Sequence, residues 1–288
     1  MKLRSGRQTG AEHSARQRGD DSHSLQPGGS AVARELRIIG NEVEVFEHDA
    51  VTPPALPRWD GDSEVEGREI GHGASKCLYV FCVGFSPDGA LLASGGLDYR
   101  LRVRRLPSCE EVAVIDQGSC VQCVAFSPNG RYMASGTSNW IACVFRVSDV
   151  LAGITGPWKT WEDHEGPVKS IAFSPNSELL ATAGGHDNTV RIRRIADGIC
   201  QHMLVDASGI GGVDAVAFSP DGALVASPHG RVRVWDSATG ECRLKLIPSD
   251  GDGVACCRCV SFSPNGRLIA WANVSGNIFL SDVYTGAE

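Results

Sequence analysis

The chain repeats one pattern of apolar and polar positions five times. In each copy, a run rich in β-branched residues ends in Phe-Ser-Pro, and four copies continue with Asp-Gly or Asn-Gly. Because Pro fixes φ and Gly tolerates a positive φ, each run predicts a strand that ends in a tight turn. The five tripeptides begin at Phe85, Phe126, Phe173, Phe218 and Phe262, with spacings of 41, 47, 45 and 44 residues.

The rest of each repeat predicts three more strands. A second apolar run follows the turn, as at 91–93, and a third run alternates apolar and polar residues, as at 190–195 and 232–237. A fourth, weaker run precedes the next copy, as at 241–247. Four short strands in a period of about 44 residues predict an all-β fold made of four-stranded sheets.

These residues resemble the WD-repeat (WD40) family, whose repeats combine Gly-His, Phe-Ser-Pro-Asp-Gly and a final Trp-Asp. The best matches are HEGPVKSIAFSPN at 164–176 and VRVWDSATGE at 232–241. The resemblance covers 73–288, and it implies a β-propeller with five recognisable four-stranded blades.

The N-terminal residues extend the repeats only in part. Residues 35–49 predict two strands about a Gly40-Asn41 turn, so 31–72 are interpreted as a degenerate partial blade and a linker. Residues 1–30 predict a disordered tail, because they are basic, polar and rich in Gly and Ser. Five blades and a partial one leave three alternatives: a small ring, an open ring, or a piece of a longer protein. An open ring favours self-association through unpaired sheet edges.

The resemblance also implies a hydrogen-bonded relay of His, Ser or Thr, Asp and Trp that stiffens each blade. His164, Thr182 and Asp187 occupy its first three positions in the third repeat, where Arg193 stands at the Trp position. The Trp-Asp pair itself is intact only at Trp235-Asp236.

Pairs of arginines lie on one face of two third strands. Arg102 alternates with Arg104, and Arg191 alternates with Arg193. Either these pairs form a basic rim that docks an acidic partner, or they form ion pairs between blades. We favour the ion pairs.

Aromatic residues occupy two turns where the family has glycine. Tyr99 and Trp140 each lie 14 residues after the Phe of their repeat, between the second and third strands. The resemblance places these turns on the face that binds partners, and Tyr and Trp dominate interface hot spots. We therefore predict that they contact a partner; the alternative is that each ring folds over its own blade. His186, Asp250 and Asp252 are further candidates in loops of that face.

The cysteines indicate packing and a reducing compartment. Eleven cysteines occur without a secretion signal, which predicts free thiols in the cytoplasm or nucleus. Cys82, Cys123 and Cys259 share a repeat position with Ser170 and Ala215, so this position requires a small residue. Cys120 and Cys123 have the spacing of a metal or redox motif, but on a strand they point to opposite faces. We expect neither a metal nor a cofactor.

Charge and hydropathy narrow the choice of partner. The net charge of −7 argues against nucleic acid, which requires clustered Lys and Arg. No run of about 18 apolar residues occurs, so we expect no membrane span. The sequence therefore predicts an intracellular chain, cytoplasmic or nuclear, that is not secreted.

These features favour a scaffold that binds a protein or peptide through loops on one face of a propeller, and not an enzyme. One alternative is the substrate-recognition subunit of a ubiquitin ligase. It is weakened because Ser237 and Ala238 follow Trp235-Asp236, where that class carries a basic residue. A propeller-fold hydrolase is the other alternative. It is weakened because the first strand of each repeat, which would be the inner strand of a blade, carries Val, Ala, Cys and Ser and no catalytic set.

Overall fold

The computed structural model describes the backbone of 32–39 and 42–49, and all atoms of 79–205, 212–247 and 257–286. Its first element is the hairpin of β1, Val32–Ile39, and β2, Glu42–Asp49. These strands are antiparallel, and Ile39 pairs with Glu42. The two predicted strands are therefore present, and Gly40 and Asn41 between them lie outside the described residues.

Each of the five repeats forms one antiparallel sheet, here called a blade. Within a blade, consecutive strands are neighbours, and the described part of blade 5 has three strands. This arrangement confirms the predicted all-β fold of propeller blades.

Blade 1 contains β3 Val80–Phe85, β4 Leu91–Gly96, β5 Arg100–Arg105 and β6 Glu110–Asp116. Blade 2 contains β7 Val121–Phe126, β8 Tyr132–Thr137, β9 Ala142–Arg146 and β10 Lys159–Trp161, with helix α1 Val147–Leu151 before β10. Blade 3 contains β11 Val168–Phe173, β12 Leu179–Gly184, β13 Thr189–Arg194 and β14 Cys200–Val205. Blade 4 contains β15 Ala217–Phe218, β16 Leu224–His229, β17 Arg231–Asp236 and β18 Cys242–Leu246; blade 5 contains β19 Cys257–Phe262, β20 Leu268–Asn273 and β21 Ile278–Asp282.

In each blade, the serine of the Ser-Pro turn accepts a backbone N–H across the turn. We call this end of the blade, where its first strand finishes, the lower end. In blade 1, the Ser86 hydroxyl accepts the backbone N–H of Leu91 at 2.8 Å, and Gly89 has a φ of 69°. In blade 3, Ser177 replaces this glycine and has a φ of 61°. Its hydroxyl accepts the backbone N–H of Asn129 in blade 2 at 3.1 Å. The departure from Gly therefore adds a hydrogen bond between two blades.

The hydrophobic core consists of four clusters, and each lies between two consecutive blades. We call the side of a blade that packs on the next blade its back face, and the opposite side its front face. Between blades 1 and 2, Leu101 and Val103 on the back face meet Val121 and Phe145 on the front face. Apolar burial is the dominant favourable term in such packing, so consecutive blades stabilise one another.

The position of the inner strand that requires a small residue, occupied by Cys82 and Cys123 in blades 1 and 2, lies at these interfaces. The Cys82 thiol donates to the carbonyl oxygen of Val121 at 3.8 Å, and the Cys123 thiol donates to that of Val168 at 3.5 Å. Burial raises the pKa of Cys82 to about 12. Such a thiol is a packing group and a poor nucleophile or metal ligand at neutral pH.

Gly136, beside Cys123, lies in the same crowded layer. A Cβ atom at Gly136 would lie 2.6 Å from Cγ1 of Val168 and 2.7 Å from Sγ of Cys123. We expect Gly136→Ala to lower the free energy of unfolding by about 2 kcal/mol, because overpacked interiors displace their neighbours. Urea unfolding measures this change. Gly156→Ala is the control, since no atom lies within 4 Å of its added Cβ. Equal stabilities of the two variants would contradict the clash.

Candidate protein-interaction surface

The turns between second and third strands lie at the end of each blade where the inner strand begins. The backbone N–H of Leu97 donates to the carbonyl oxygen of Tyr79 at 2.9 Å, and that of Ser138 donates to Cys120 at 2.9 Å. Gly185 bonds Pro167 in the same way at 2.7 Å. We call this end of the blades, formed by these turns and the starts of the inner strands, the upper face.

Each of the five upper turns contains one residue in the left-handed region of backbone space. These residues, with φ between 54° and 86°, are Tyr99, Trp140, Asn188, Gly230 and Gly276. Gly and Asn tolerate this conformation, whereas a bulky side chain is strained there by about 1 kcal/mol or more. Blades 1 and 2 therefore keep an aromatic residue where the backbone favours glycine.

Both aromatic side chains are about half exposed. Tyr99 retains 48% of its accessible surface and Trp140 retains 49%. Burial against their own blades thus does not account for their presence in a strained turn. Strained backbone conformations cluster at ligand-binding sites, and exposed Tyr and Trp are the residues that anchor interfaces.

A bulge at the start of the inner strands adds polar groups to the upper face. The pairing register of β3, β7, β11 and β19 shifts at Phe81, Gln122, Lys169 and Arg258, four residues before the Phe of each repeat. Asp214 holds the same repeat position in blade 4. A bulge leaves one residue without a ladder partner and redirects its side chain.

The bulge side chains link neighbouring blades. Lys169 Nζ donates to Oε1 of Gln122 at 2.9 Å, and Gln122 Nε2 donates to the hydroxyl of Ser138 at 2.8 Å. Arg258 Nη1 donates to Oδ2 of Asp214 at 3.0 Å. These residues were not identified from the sequence. The available signal was a column of four polar residues, with Phe81 in the first repeat, at one fixed place within an otherwise apolar run.

His186 and the Asp214–Arg258 pair line a cavity of about 230 Å³ on the upper face. Three glycines contribute backbone to its wall, and the other lining residue is Cys257. Asp250 and Asp252 lie outside the described residues. No group of three or more His, Cys, Asp or Glu side chains in the described part of the chain could hold a metal ion.

The structure brings His164, Thr182 and Asp187 together within blade 3. Nδ1 of His164 lies 2.7 Å from Oδ2 of Asp187, and Nε2 lies 2.8 Å from the Thr182 hydroxyl. Arg193 Nη1 donates to the same hydroxyl at 2.9 Å. Because that hydroxyl then has its proton free for Nε2, we assign the imidazole proton to Nδ1. Arg193 thus supplies the donor at the position where the family has tryptophan.

Asp163 neutralises the buried guanidinium of Arg193. The Arg193 side chain has no exposed surface, and its Nη2 pairs with Oδ1 of Asp163. Its guanidinium also stacks over the ring of Trp161, 5.1 Å from the centroid. Arg191 joins the pair at 3.5 Å from Asp163 Oδ2. A buried charge requires such partners, since desolvation costs several kcal/mol.

The arginines of blade 1 form ion pairs within their own blade. Arg102 bonds Asp98 at 3.1 Å and Glu111 at 3.0 Å, and Arg104 bonds Glu111 at 3.2 Å. The predicted ion pairing is therefore present. These three bonds lie within one blade, because both guanidinium groups share the Glu111 carboxylate of the adjacent strand β6.

Hydrogen bonds keep the Asp187 carboxylate ionised. Burial raises its pKa, but His164 and the backbone N–H groups of Glu165 and Thr189 outweigh that effect and hold the pKa well below its usual range. Every one of these partners donates to an oxygen, which favours the charged form.

The structure places Trp235 and Asp236 in different environments. Trp235 Nε1 donates to the buried Ser227 hydroxyl at 2.9 Å, and His229 Nε2 lies 3.0 Å from that oxygen. Asp236 is the last residue of β17, where the Arg243 side chain, followed by the backbone of Thr239, lowers its pKa to about 2. Blade 4 therefore keeps the tryptophan half of a relay, while Asp236 stabilises a turn.

Comparison with known proteins finds one repeat family along the chain. The family model described as "WD domain, G-beta repeat" matches residues 66–104, 110–146, 156–193 and 199–236. An uncharacterized WD repeat-containing protein of Synechocystis is 35% identical over 33% of this chain and 26% of its own length. Human apoptotic protease-activating factor 1 is 36% identical over 27% of this chain and 7% of its own length. The rice small ribosomal subunit protein RACK1y is 33% identical over 39% of this chain and 32% of its own length. The chain thus spans less than a third of each of these relatives.

Proposed function

Because the chain belongs to the WD40 repeat family, whose members generally act as interaction scaffolds, we propose that it binds a protein or peptide partner through its upper face and is not itself an enzyme. The observation that carries this proposal is the pair of half-exposed aromatic residues in left-handed turns of adjacent blades. Their backbone conformation opposes folding, so a contribution to binding explains why Tyr99 and Trp140 stand there.

The surroundings of this pair favour a partner segment with exposed polar groups beside apolar anchors. Gln122, Ser138 and Lys169 form a hydrogen-bonded row next to the Trp140 turn. Phe81, 45% exposed, lies at the start of the inner strand of blade 1. Apolar anchors flanked by polar side chains match the usual anatomy of an interface.

The thiols support a reducing compartment. Seven described cysteines are free, including the exposed Cys200 and Cys259. Exposed free thiols persist in a reducing environment. We therefore assign the chain to the cytoplasm or nucleus. No helix in the described residues is long and apolar enough to cross a membrane.

Replacing the two aromatics by glycine separates binding from stability. We expect the double variant Tyr99→Gly/Trp140→Gly to lose most binding, by about 2 kcal/mol or more, because aromatic anchors dominate interfaces. The same variant should gain about 1 kcal/mol in the free energy of unfolding, because glycine relieves the positive φ at both turns. Peptides selected from a displayed library provide the binding probe, and urea unfolding provides the stability.

Tyr284→Gly is the matched control for that variant. Tyr284 is 74% exposed and lies after the third strand of blade 5, beside the lower turn, where Val283 N–H bonds the carbonyl oxygen of Arg267. We expect binding of the selected peptides to be unchanged in this control. If the double glycine variant binds as tightly as the parent chain, the upper-face proposal is wrong. Failure to select any peptide, together with no stoichiometric partner in a pull-down, would oppose the scaffold function itself.

A further inference from the structure

The four hydrophobic clusters join blade 1 to 2, 2 to 3, 3 to 4 and 4 to 5, and none of these clusters joins blade 5 to blade 1. The front face of blade 1 and the back face of blade 5 are therefore the two terminal faces of the described blades. Their residues can be compared, position by position, with those at the four internal interfaces.

The front face of blade 1 exposes residues that other blades bury. Val83 and Phe85 are 61% and 63% exposed. At the same repeat positions in blade 3, Ile171 and Phe173 are each 8% exposed, because the back face of blade 2 covers them. Among the described residues no blade covers Val83 and Phe85, and their exposure does not reflect a change in the type of residue.

The back face of blade 5 shows the reciprocal difference. Ile278 and Leu280 of β21 are 56% and 53% exposed. The equivalent residues of blade 4, Val232 and Val234, are fully buried against the front face of blade 5. Blade 5 therefore carries large aliphatic side chains at positions that, in blade 4, pack on the following blade.

Charge does not prevent these two faces from docking. Arg102 and Arg104 lie at the front-face positions of β5, and Asp98 and Glu111 supply two compensating carboxylates. An apolar surface can cover this cluster without burying an unpaired charge, which would be strongly unfavourable.

We propose that the back face of blade 5 in one copy of this chain docks on the front face of blade 1 in a second copy. The occupant has the right chemistry because the equivalent front and back faces of the other blades pack on each other at four interfaces within the chain. The contact is head-to-tail, since every interface requires one front and one back face. It is separate from the upper face, and it does not depend on the proposed partner binding.

Cys259 reports on the contact. Its equivalents Cys82 and Cys123 each donate to a carbonyl oxygen of the next blade, namely Val121 and Val168. Cys259 is exposed on the back face of blade 5, and docking would place it over the equivalent residue, Val80, of the second copy. We expect its alkylation by a maleimide to slow as protein concentration rises. The exposed Cys200 is the internal control, and its alkylation should not change with protein concentration.

Mixing two variants tests the head-to-tail geometry. Light scattering after size exclusion should give the parent chain at least twice the 30.6 kDa of one copy. Phe85→Glu places a charge on the front face, and Leu280→Glu places a charge on the back face. Neither variant can then dock on a copy of itself, so each alone should be a monomer. An equimolar mixture should form a 1:1 dimer, because one intact front face and one intact back face remain.

Ile154→Glu is the control for adding a charge at an exposed apolar position. Ile154 is 56% exposed in the connection before β10, away from both terminal faces, and this variant should associate like the parent. Circular dichroism should show unchanged β content in all variants, since the altered residues are exposed. A monomeric parent with alkylation of Cys259 independent of concentration would overturn the proposal and would indicate that another part of the same chain covers these faces. Association of either single variant alone, or failure of the mixture to associate, would also overturn it.

Discussion

Asp163→Ala should lower the free energy of unfolding by about 3 kcal/mol, because it leaves the buried Arg193 guanidinium without its carboxylate. Arg193 has no exposed surface, and its remaining partners are the Thr182 hydroxyl and the ring of Trp161. Breaking a buried pair by removing one partner typically costs about 3 to 5 kcal/mol. We expect the lower end of that range because Asp163 itself is 44% exposed, so water can reach the site. Chemical unfolding monitored by tryptophan fluorescence measures the change.

A second background shows whether the loss comes from the unpaired charge. In Arg193→Trp, the indole can donate to Thr182 as Trp235 donates to Ser227 at 2.9 Å. Asp163 then keeps only the longer contact with Arg191 at 3.5 Å, and Asp163→Ala should cost less than about 1 kcal/mol in that background. A double-mutant cycle gives the coupling between the two residues directly. Equal losses in both backgrounds would mean that Asp163 does not act through Arg193.

Asp197→Ala is the matched surface control. Asp197 pairs with Arg194 at 2.8 Å, but both side chains are at least 40% exposed. Such exposed pairs contribute little to stability, because water screens both charges. A large loss for Asp197→Ala would show that carboxylate removal in this blade destabilises without regard to burial.

The sequence predicted the strands well because their signals are local. Each Phe-Ser-Pro run ends a strand, and the serine, proline and glycine supply the turn within a few residues. The shared small position of Cys82 and Cys123 was also visible, since the same steric layer repeats in every blade. In contrast, the bulges at Gln122 and Lys169 depend on pairing with the neighbouring strand. A single strand read by itself does not specify where its partner skips a residue.

Arg193 shows why the candidate site was less predictable than the fold. By comparison with the family pattern, Arg193 occupies the tryptophan position and suggests an interrupted relay. In the folded blade, its guanidinium donates to Thr182 and pairs with Asp163, which lies 30 residues earlier. Likewise, the positions of Tyr99 and Trp140 were evident, but their positive φ was not. Both features arise from tertiary geometry that composition and spacing do not determine.

Asp187→Asn tests the relay from its other end and should lower the free energy of unfolding by about 3 kcal/mol at neutral pH. Oδ2 of Asp187 faces Nδ1 of His164 and the backbone N–H of Glu165, and Oδ1 faces the N–H and hydroxyl of Thr189. All of these partners donate hydrogen bonds. The amide oxygen of an asparagine can accept from only one of the two groups of donors, and its NH₂ group then faces the donors of the other group. Hydrogen bonds to a charged acceptor contribute about 1.5 to 3 kcal/mol, and unsatisfied buried donors add to the loss.

The pH dependence identifies the carboxylate as the cause. Burial raises the pKa of Asp187, but its hydrogen bonds hold the folded pKa well below the usual range. As pH falls below about 5, the unfolded chain therefore binds the proton first, near its ordinary pKa of about 3.9. The stabilisation from this group is complete above that range and is lost as pH falls through the folded pKa. The difference in stability between the parent chain and Asp187→Asn should thus be constant from pH 7 to about 5 and then shrink toward lower pH.

Asp236→Asn should show a smaller difference at neutral pH, because its partners lie in an exposed turn. A difference for Asp187→Asn that stays constant down to acid unfolding would mean that the ionised carboxylate does not stabilise the blade, and the relay would then act through shape alone.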